Sequence, residues 1–256
     1  LQTLYVNGVL DLSNAQSGSL TNSAEKFVIG GRPHLGTAFF NGKIDEVAVW
    51  NVSLSQDKIA EHAGAKVLDN SIYGNNGTKT FNTTSDFGRN FTAGKFGKAL
   101  VFDGVKTYVN VTAANSTKPI RNLTVEGWAK FTGTGEHLVN ARSAAGDAGY
   151  LLQSDCPIMQ VFAVGGEVSA NAGDRFNDNQ WHHFAGTYDG TTSRIYVDGA
   201  LKASGSGTGG DILYNGVTEV ILGASISGTN PLSGTLDEAA IWNQTLSSDK
   251  ISEHAG

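Results

Sequence analysis

The chain has few of the residues that would mark it as a disulfide-stapled, membrane-spanning or nucleic-acid-binding protein. Among 256 residues it has one cysteine, one methionine and four prolines. The single Cys156 excludes a disulfide within the chain, and its neighbours supply no activating base, so we read it as a small buried hydrophobe. No apolar stretch approaches the length of a transmembrane helix. The net charge of −6, with no run of Lys or Arg, argues against nucleic acid or an anionic membrane as the main partner.

What the chain does have is glycine and small polar residues. Its 33 glycines occur with many Asn, Ser and Thr residues. This composition is typical of many short strands joined by tight turns, because such turns need residues that tolerate unusual backbone angles. Apolar residues make up 39% of the chain, which is enough for a hydrophobic core.

An internal repeat organises the sequence. Three segments of the first quarter return near the end, two of them at an offset of 192 residues and one at 191. The matching pairs are residues 42–51 with 234–243, 61–64 with 253–256, and 4–8 with 195–199. Residues 65–256 therefore form one complete repeat, and residues 1–64 form the last third of a preceding copy. Because the chain lacks an initiator Met and opens inside a domain, we expect that Leu1 is not the natural start.

Local signals predict the same elements in both copies. Asn7-Gly8 and Asp198-Gly199 stand between apolar runs and predict hairpin turns. Residues around Asp45-Glu46 and Asp237-Glu238 break the alternation of apolar positions, which predicts a β-bulge in each copy. Each copy then ends in one short helix. Ser55 and Ser247 are the expected N-caps, and Gly64 and Gly256 the expected C-terminal stops.

The complete repeat resembles a laminin-G-like domain of the concanavalin A-like lectin/glucanase superfamily, as found in tandem repeats of microbial surface proteins. The resemblance runs from Val67 to Ile251 and rests on motifs in family order. They are residues 68–77 (LDNSIYGNNG), 99–104 (ALVFDG), 123–128 (LTVEGW), 181–190 (WHHFAGTYDG), 195–199 (IYVDG) and 234–242 (GTLDEAAIW). The resemblance implies an all-β antiparallel β-sandwich, a concanavalin A-like jelly roll, with one short C-terminal helix per repeat. It does not settle the function, since this fold hosts lectins, adhesins and glucanases.

Enzymatic activity is not expected. Related glucanases place catalytic carboxylates at alternate positions of one strand, in a Glu-x-Asp-x-x-Glu pattern. Neither residues 236–240 nor residues 124–128 carry that pattern. His182 and His183 are adjacent, so in a strand they point to opposite faces, and no nucleophile motif accompanies them.

A structural calcium ion is the metal that the resemblance implies. Family members often bind calcium between the opening loop and an aspartate of the closing strand. The matching residues, all with hard oxygen ligands, are Asp69, Asn75, Asn76 and Asp237. The alternative is that these Asp and Asn residues only form turns.

A glycan-binding surface is the other candidate site. Trp128 is in phase with Glu126 and opposite to the apolar positions of its strand, so it could lie on the sheet surface that lectins of this fold use. The alternative is that a loop covers Trp128, as is usual for large aromatic side chains.

Glycosylation signals are also frequent. Eight Asn-x-Ser/Thr sequons occur, and six of them lie between Asn76 and Asn122. They begin at Asn51, Asn76, Asn82, Asn90, Asn110, Asn115, Asn122 and Asn243. We expect an extracellular glycoprotein; the alternative is an Asn- and Thr-rich composition that no glycosyltransferase meets.

These observations favour a non-enzymatic structural or adhesive repeat of a larger surface glycoprotein or extracellular filament. Its expected partners are copies of itself, through end-to-end or filament assembly, because tandem repeats present one surface many times. The alternative function is a carbohydrate-binding, lectin-like module that contacts cell-surface glycans. The expected location is extracellular, at the cell surface.

Overall fold

The computed structural model of the chain describes residues 2–6, 9–15, 27–31, 39–44, 47–63, 66–80, 91–134 and 137–256. The chain divides into two compact units, Leu1–His62 and Ala63–Gly256. This division lies two residues from the boundary that the repeat predicts.

The first unit contains a hairpin and a helix. Strands β1 (Gln2–Val6) and β2 (Val9–Asn14) pair antiparallel, and helix α1 spans Gln56–His62. The hydroxyl of Ser55 accepts a hydrogen bond from the Lys58 backbone N–H at 3.3 Å, which confirms the predicted N-cap. The turn at Asn7-Gly8, the expected bulge at Asp45-Glu46 and the stop at Gly64 lie outside the described residues.

The second unit is a sandwich of two antiparallel sheets, as predicted. The eight-stranded sheet has the order β12-β11-β10-β9-β16-β7-β4-β3, and the seven-stranded sheet the order β15-β14-β13-β8-β17-β6-β5. The strands are β3 (Lys66–Val67), β4 (Gly77–Thr80), β5 (Phe91–Ala93), β6 (Lys98–Asp103), β7 (Tyr108–Thr112), β8 (Leu123–Phe131), β9 (His137–Arg142), β10 (Gly149–Gln153), β11 (Ile158–Ala163), β12 (Gly166–Asn171), β13 (His182–Tyr188), β14 (Thr192–Val197), β15 (Ala200–Ser206), β16 (Glu219–Leu222) and β17 (Ser233–Trp242). Helix α2 spans Ser248–His254.

The main core fills the space between the two sheets. Alternate residues of β8 enter it, namely Leu123, Val125, Ala129 and Phe131, and so do Met159 and Val161 of β11. The intervening residues of these strands face outward, because successive side chains of a strand point to opposite sides of its sheet. The outward faces of the two sheets are therefore the surfaces on which sites can form.

Two local predictions are confirmed in the second unit. Asp198 and Gly199 both have positive φ, 49° and 76°, as the tight turn between β14 and β15 requires. The pairing of β17 with β8 shifts register between Asp237 and Ala240, and Glu238 has a φ of 48°, so the bulge lies where the sequence predicted it.

The C-terminal helix packs on the outward face of the seven-stranded sheet. Ser247 Oγ accepts a hydrogen bond from the Lys250 N–H, and Gly256 has a φ of 98°, which confirms both predicted ends. Leu246 and Ile251 form a small second core with residues of β13 and β14, and Trp242 packs against it. No helix among the described residues is long and apolar enough to cross a membrane.

Candidate functional site

The opening loop of the repeat is organised around Asp69. Its carboxylate accepts hydrogen bonds from the backbone N–H groups of Ser71, at 2.8 Å, and Asn75, at 2.7 Å. Partial burial alone would raise the pKa of Asp69, but the hydrogen bonds from Ser71 and Asn75 outweigh it and lower the pKa. The Asn76 side chain accepts from the Asp69 N–H at 2.9 Å. The structure thus brings three of the four predicted metal ligands together in one loop.

The fourth predicted ligand, Asp237, has partners of its own. Its carboxylate accepts from the N–H of Phe96 at 2.9 Å and from the N–H of Glu238 at 3.0 Å. A Cβ at Gly94 would approach this carboxylate to 2.4 Å, so the turn at residues 94–97 closes tightly on it. Within the described residues no group of three or more His, Cys, Asp or Glu side chains is placed to hold a metal. Calcium at the opening loop stays a prediction, and Asp237 serves to hold that turn against the bulge.

Trp128 does not form an exposed glycan platform, which corrects that expectation. Its ring is buried on the outward face of the seven-stranded sheet, below the turn that Asp237 holds. Lys95 Nζ lies 4.1 Å from the ring centroid, and the Phe96 ring meets it edge-on at 6.1 Å. The open alternative, that a loop covers Trp128, is the one that the structure shows.

Glu126 is also buried, at the centre of a polar cluster that the sequence did not reveal. Its carboxylate accepts from Trp242 Nε1 at 2.6 Å, contacts His254 Nδ1 at 2.9 Å, and lies 3.4 Å from His183 Nε2. Burial by itself would raise the pKa of Glu126, but hydrogen bonds from His183 and Trp242 and the charge of His254 lower it. This cluster joins β8, β13, β17 and α2. Its position below the helix corrects the prediction that Glu126 contacts a glycan.

A pocket of about 440 Å³ opens beside this cluster, between the end of β17 and α2. Several of its polar groups are already occupied. Lys250 pairs with Glu253 at 2.7 Å, Ser247 caps the helix, and Thr245 donates to the Tyr188 carbonyl at 2.6 Å. The pocket therefore offers a ligand few uncommitted donors or acceptors.

The outward face of the eight-stranded sheet carries a better site, which we call the polar row. It consists of Asn140, Arg142, Gln160 and Glu167, which lie on β9, β11 and β12. Arg142 Nη1 donates to Gln160 Oε1 at 3.0 Å, and Gln160 Nε2 donates to Glu167 Oε1 at 2.8 Å. These bonds align planar hydrogen-bonding groups across the sheet, with Arg142 and Gln160 half-buried and Glu167 exposed.

The inner end of the polar row is fixed by a buried network. Asn140 Oδ1 accepts from the Arg142 N–H at 3.1 Å, and Asn140 Nδ2 lies 2.9 Å from His137 Nδ1. Burial, with a smaller effect from Arg142, lowers the pKa of His137 to about 4. His137 is therefore neutral near pH 7, and its Nδ1 can accept the hydrogen bond from Asn140.

An aromatic side chain borders the polar row. Phe162 follows Gln160 by two residues on β11, so both lie on the outward face, and the Phe162 ring is half-buried. Between Phe162 and Arg142 the sheet has Gly149, which pairs with both residues and carries no side chain. Gly149 has a φ of 93°, and a Cβ there would meet the Ala141 carbonyl at 1.8 Å, so the position requires glycine. The result is a shallow gap between an apolar ring and the polar row.

The sequons differ in accessibility. Asn110 lies on β7 with its side-chain amide donating to Glu219, and Asn82 and Asn90 lie outside the described residues. The remaining sequon asparagines are exposed, namely Asn51, Asn76, Asn115, Asn122 and Asn243. Whether any of them carries a glycan stays a prediction.

Solved structures with a similar fold include an arabinanase domain, the binding domain of a mosquitocidal protein and a sialidase module. Domain 4 of AbnA, a GH43 extracellular arabinanase from Geobacillus stearothermophilus solved in complex with arabinotriose, is 19% identical. The match covers 65% of this chain and 80% of that one, with a TM-score of 0.53. The binding domain of Paraclostridial Mosquitocidal Protein 1 is 15% identical over 64% of this chain and 44% of that one, with a TM-score of 0.53.

A third similar structure is the Ruminococcus gnavus IT-sialidase CBM40 bound to α2,3-sialyllactose. It is 14% identical over 62% of this chain and 98% of that one, with a TM-score of 0.51. No curated protein matches the chain. The family model described as "Concanavalin A-like lectin/glucanases superfamily" matches residues 2–60 and 103–252, well over half of the sequence. The chain belongs to the concanavalin A-like lectin/glucanase superfamily.

Proposed function

We propose that the chain is a non-catalytic carbohydrate-binding module that acts outside the cell, with the polar row as its binding surface. The observation that carries this proposal is the alignment of Arg142, Gln160 and Glu167 by two hydrogen bonds across β9, β11 and β12. The sequence analysis favoured a structural or adhesive repeat and gave a carbohydrate-binding module as the alternative. We now prefer the carbohydrate-binding module.

The chemistry of the polar row suits a sugar. Guanidinium, amide and carboxylate groups bind vicinal hydroxyl groups through paired hydrogen bonds, and neighbouring bonds keep these three groups in place. The apolar face of a sugar ring can lie against Phe162 while its hydroxyls meet the row. A site of fixed polar groups beside an apolar surface is the usual form of a small-molecule site.

The charges in the polar row indicate which sugars it favours. Arg142 and Glu167 carry opposite charges, and Gln160 between them is neutral. A neutral, hydroxyl-rich oligosaccharide therefore fits the row better than a strongly anionic one, whose charges would meet Glu167.

The similar structures support an oligosaccharide as the ligand, and arabinotriose is a neutral one, whereas sialyllactose carries a carboxylate. The arabinanase domain and the sialidase module were both solved with an oligosaccharide, arabinotriose in one and sialyllactose in the other. The first belongs to an extracellular enzyme, which agrees with the extracellular location proposed here. Because their identity to this chain is low, the binding residues are assigned from the geometry of the polar row and not from these structures.

A glycan array followed by calorimetry tests the proposal. The 256-residue chain is expected to bind a set of neutral oligosaccharides, and Arg142→Ala and Gln160→Ala should each weaken binding about tenfold or more. The matched control is Lys202→Ala, which removes a positive charge from β15 in the other sheet. Failure of every glycan to bind, or equal affinity in the two row variants and the control, would contradict the proposal.

Self-association into filaments, structural calcium and occupied sequons remain predictions. Each can hold beside a carbohydrate-binding module, since none of them uses the polar row.

A further inference from the structure

The hairpin of the first unit reproduces a hairpin of the second. In β1–β2, Tyr5 pairs with Leu10 and Leu4 with Leu12, with a register shift between Leu4 and Tyr5. In β14–β15, at the offset of 191, Tyr196 pairs with Leu201 and Ile195 with Ala203, with the same shift. The two hairpins thus share register and irregularity as well as sequence.

The surroundings of the two hairpins differ sharply. Leu4 is 53% exposed, whereas its counterpart Ile195 is fully buried at 0%. Ile44 is 46% exposed, whereas its counterpart Leu236 is 1% exposed. Over half of the exposed large hydrophobic side chains in the described residues belong to the first unit. An apolar face of this extent on so short a segment is typical of an interaction surface.

In the second unit the counterparts Ile195 and Leu236 lie in the main core between the two sheets, and neighbouring strands complete their sheet. Leu236 pairs with Ala129 of β8 and Leu100 of β6, and Ile195 pairs with Gly186 of β13. All three strands lie between residues 65 and 190, ahead of the closing third of the repeat. The first unit corresponds to that closing third and contains no copy of those strands in its sequence.

A contact between a tryptophan and a histidine is also repeated in the two units. The rings of Trp50 and His62 lie in tilted contact with centroids 5.2 Å apart, as those of their counterparts Trp242 and His254 do at 5.8 Å. In the second unit the carboxylate of Glu126 on β8 binds both rings. In the first unit the pair is formed, and Trp50 is 47% exposed.

We infer that the first unit is a docking surface for the first two-thirds of another repeat, a segment equivalent to residues 65–190. Its counterparts of β6, β8 and β13 pair beside the strands of Leu4 and Ile44, and its counterparts of the facing sheet cover these side chains in the core. Its glutamate equivalent to Glu126 accepts hydrogen bonds from Trp50 Nε1 and His62 Nδ1. This interaction is independent of the polar row and of carbohydrate binding.

Hydrogen exchange on an extended chain tests the inference. A second copy of residues 65–191 is joined in front of Leu1, and exchange is followed by mass spectrometry in peptides from residues 2–14 and 56–62. Exchange in both should slow by about tenfold or more relative to the 256-residue chain, and approach that of residues 193–205 and 248–254. Unchanged exchange in these peptides would overturn the inference.

Two variants in the added copy test the glutamate. Glu126→Gln there should restore faster exchange in residues 56–62, because it weakens the acceptor for His62, and should leave the second unit unchanged. The matched control is Glu167→Gln in the added copy, on the opposite sheet, which should have no effect on these residues. Equal effects of the two variants would overturn the assigned contact.

Light scattering on the unaltered 256-residue chain tests whether the docking segment can come from a second copy of the chain. If residues 2–14 become protected as protein concentration rises and dimers form, a second copy of this chain fills the surface by strand exchange. That copy would then supply its own residues 65–190, so the result would support the proposed docking segment. Monomers whose residues 2–14 exchange slowly would overturn the inference, because their apolar face would already be covered.

Discussion

Replacing Glu126 should destabilise the second unit by an amount that its contacts predict. Glu126→Ala removes a carboxylate that binds Trp242 Nε1 at 2.6 Å and His254 Nδ1 at 2.9 Å, and it leaves an empty space under α2. A hydrogen bond to a charged group contributes about 1.5–3 kcal/mol. Trp242 and His254 are only partly buried, so water can replace part of the lost bonding. We therefore expect a loss of about 3 kcal/mol, and about half of that for Glu126→Gln.

The pH dependence of this loss has a definite sign. The pKa of Glu126 is lower in the folded chain than its usual value of 4.5. A carboxylate with a lowered pKa stabilises the fold at pH values above its unfolded pKa, and the contribution is lost as the pH falls through the folded pKa. The difference between the wild-type chain and Glu126→Gln should thus be full at pH 7 and shrink below about pH 4.5.

Urea unfolding followed by near-ultraviolet circular dichroism measures both effects. The control is Glu253→Gln on the same helix, whose carboxylate is exposed and pairs with Lys250, and which should unfold like the wild-type chain. If Glu126→Ala unfolds at the same urea concentration as that control, the cluster does not hold α2 to the sheet. The reasoning is also refuted if the difference grows as the pH falls.

Three further predictions use other parts of the second unit. Burial lowers the pKa of His137 from 6.5 to about 4, so the free energy of unfolding should fall by about 3 kcal/mol between pH 7 and pH 4. In urea titrations, His137→Asn should make the free energy of unfolding less dependent on pH over this range. Trp242→Ala should cost about 2–3 kcal/mol by the same assay, less than a fully buried tryptophan, because Trp242 is only partly buried. A loss of about 5 kcal/mol would mean deeper burial. In a glycosylating host, mass spectrometry should find a glycan on exposed Asn115 and none on Asn110, whose amide is bonded within the sheet.

The predicted features that the structure confirms depend on local chemistry. Asp198-Gly199 requires positive φ at both positions, and the interrupted alternation around Asp237 can be met only by a bulge, so neighbouring residues were enough to locate both. The same holds for the cap at Ser247. By contrast, Trp50 and Trp242 occupy matching positions of the repeat, yet Trp50 is the more exposed of the two. Its exposure depends on which strands cover it.

The features that the sequence did not reveal depend on strand pairing across long separations. Gln160 alternates with apolar neighbours and can be placed on an outward face from sequence. Its contact with Arg142 requires knowing that β9, β10 and β11 are adjacent. Glu126 looked like a surface residue because it shares a face with polar positions, and only the packing of α2 over that face buries it. Periodicity identifies a face of a sheet, and the elements that cover that face decide its exposure.

The most direct test of carbohydrate binding is a map of the binding surface by amide chemical shifts. The labelled 256-residue chain is titrated with the neutral oligosaccharide that binds best on the array. We predict that the largest shift changes lie in β9, β11 and β12, at Arg142, Gln160, Phe162 and Glu167, and that they saturate together with the calorimetric isotherm. Changes centred on Trp242 and α2, or small changes spread over both sheets, would contradict the assignment of the polar row as the binding site.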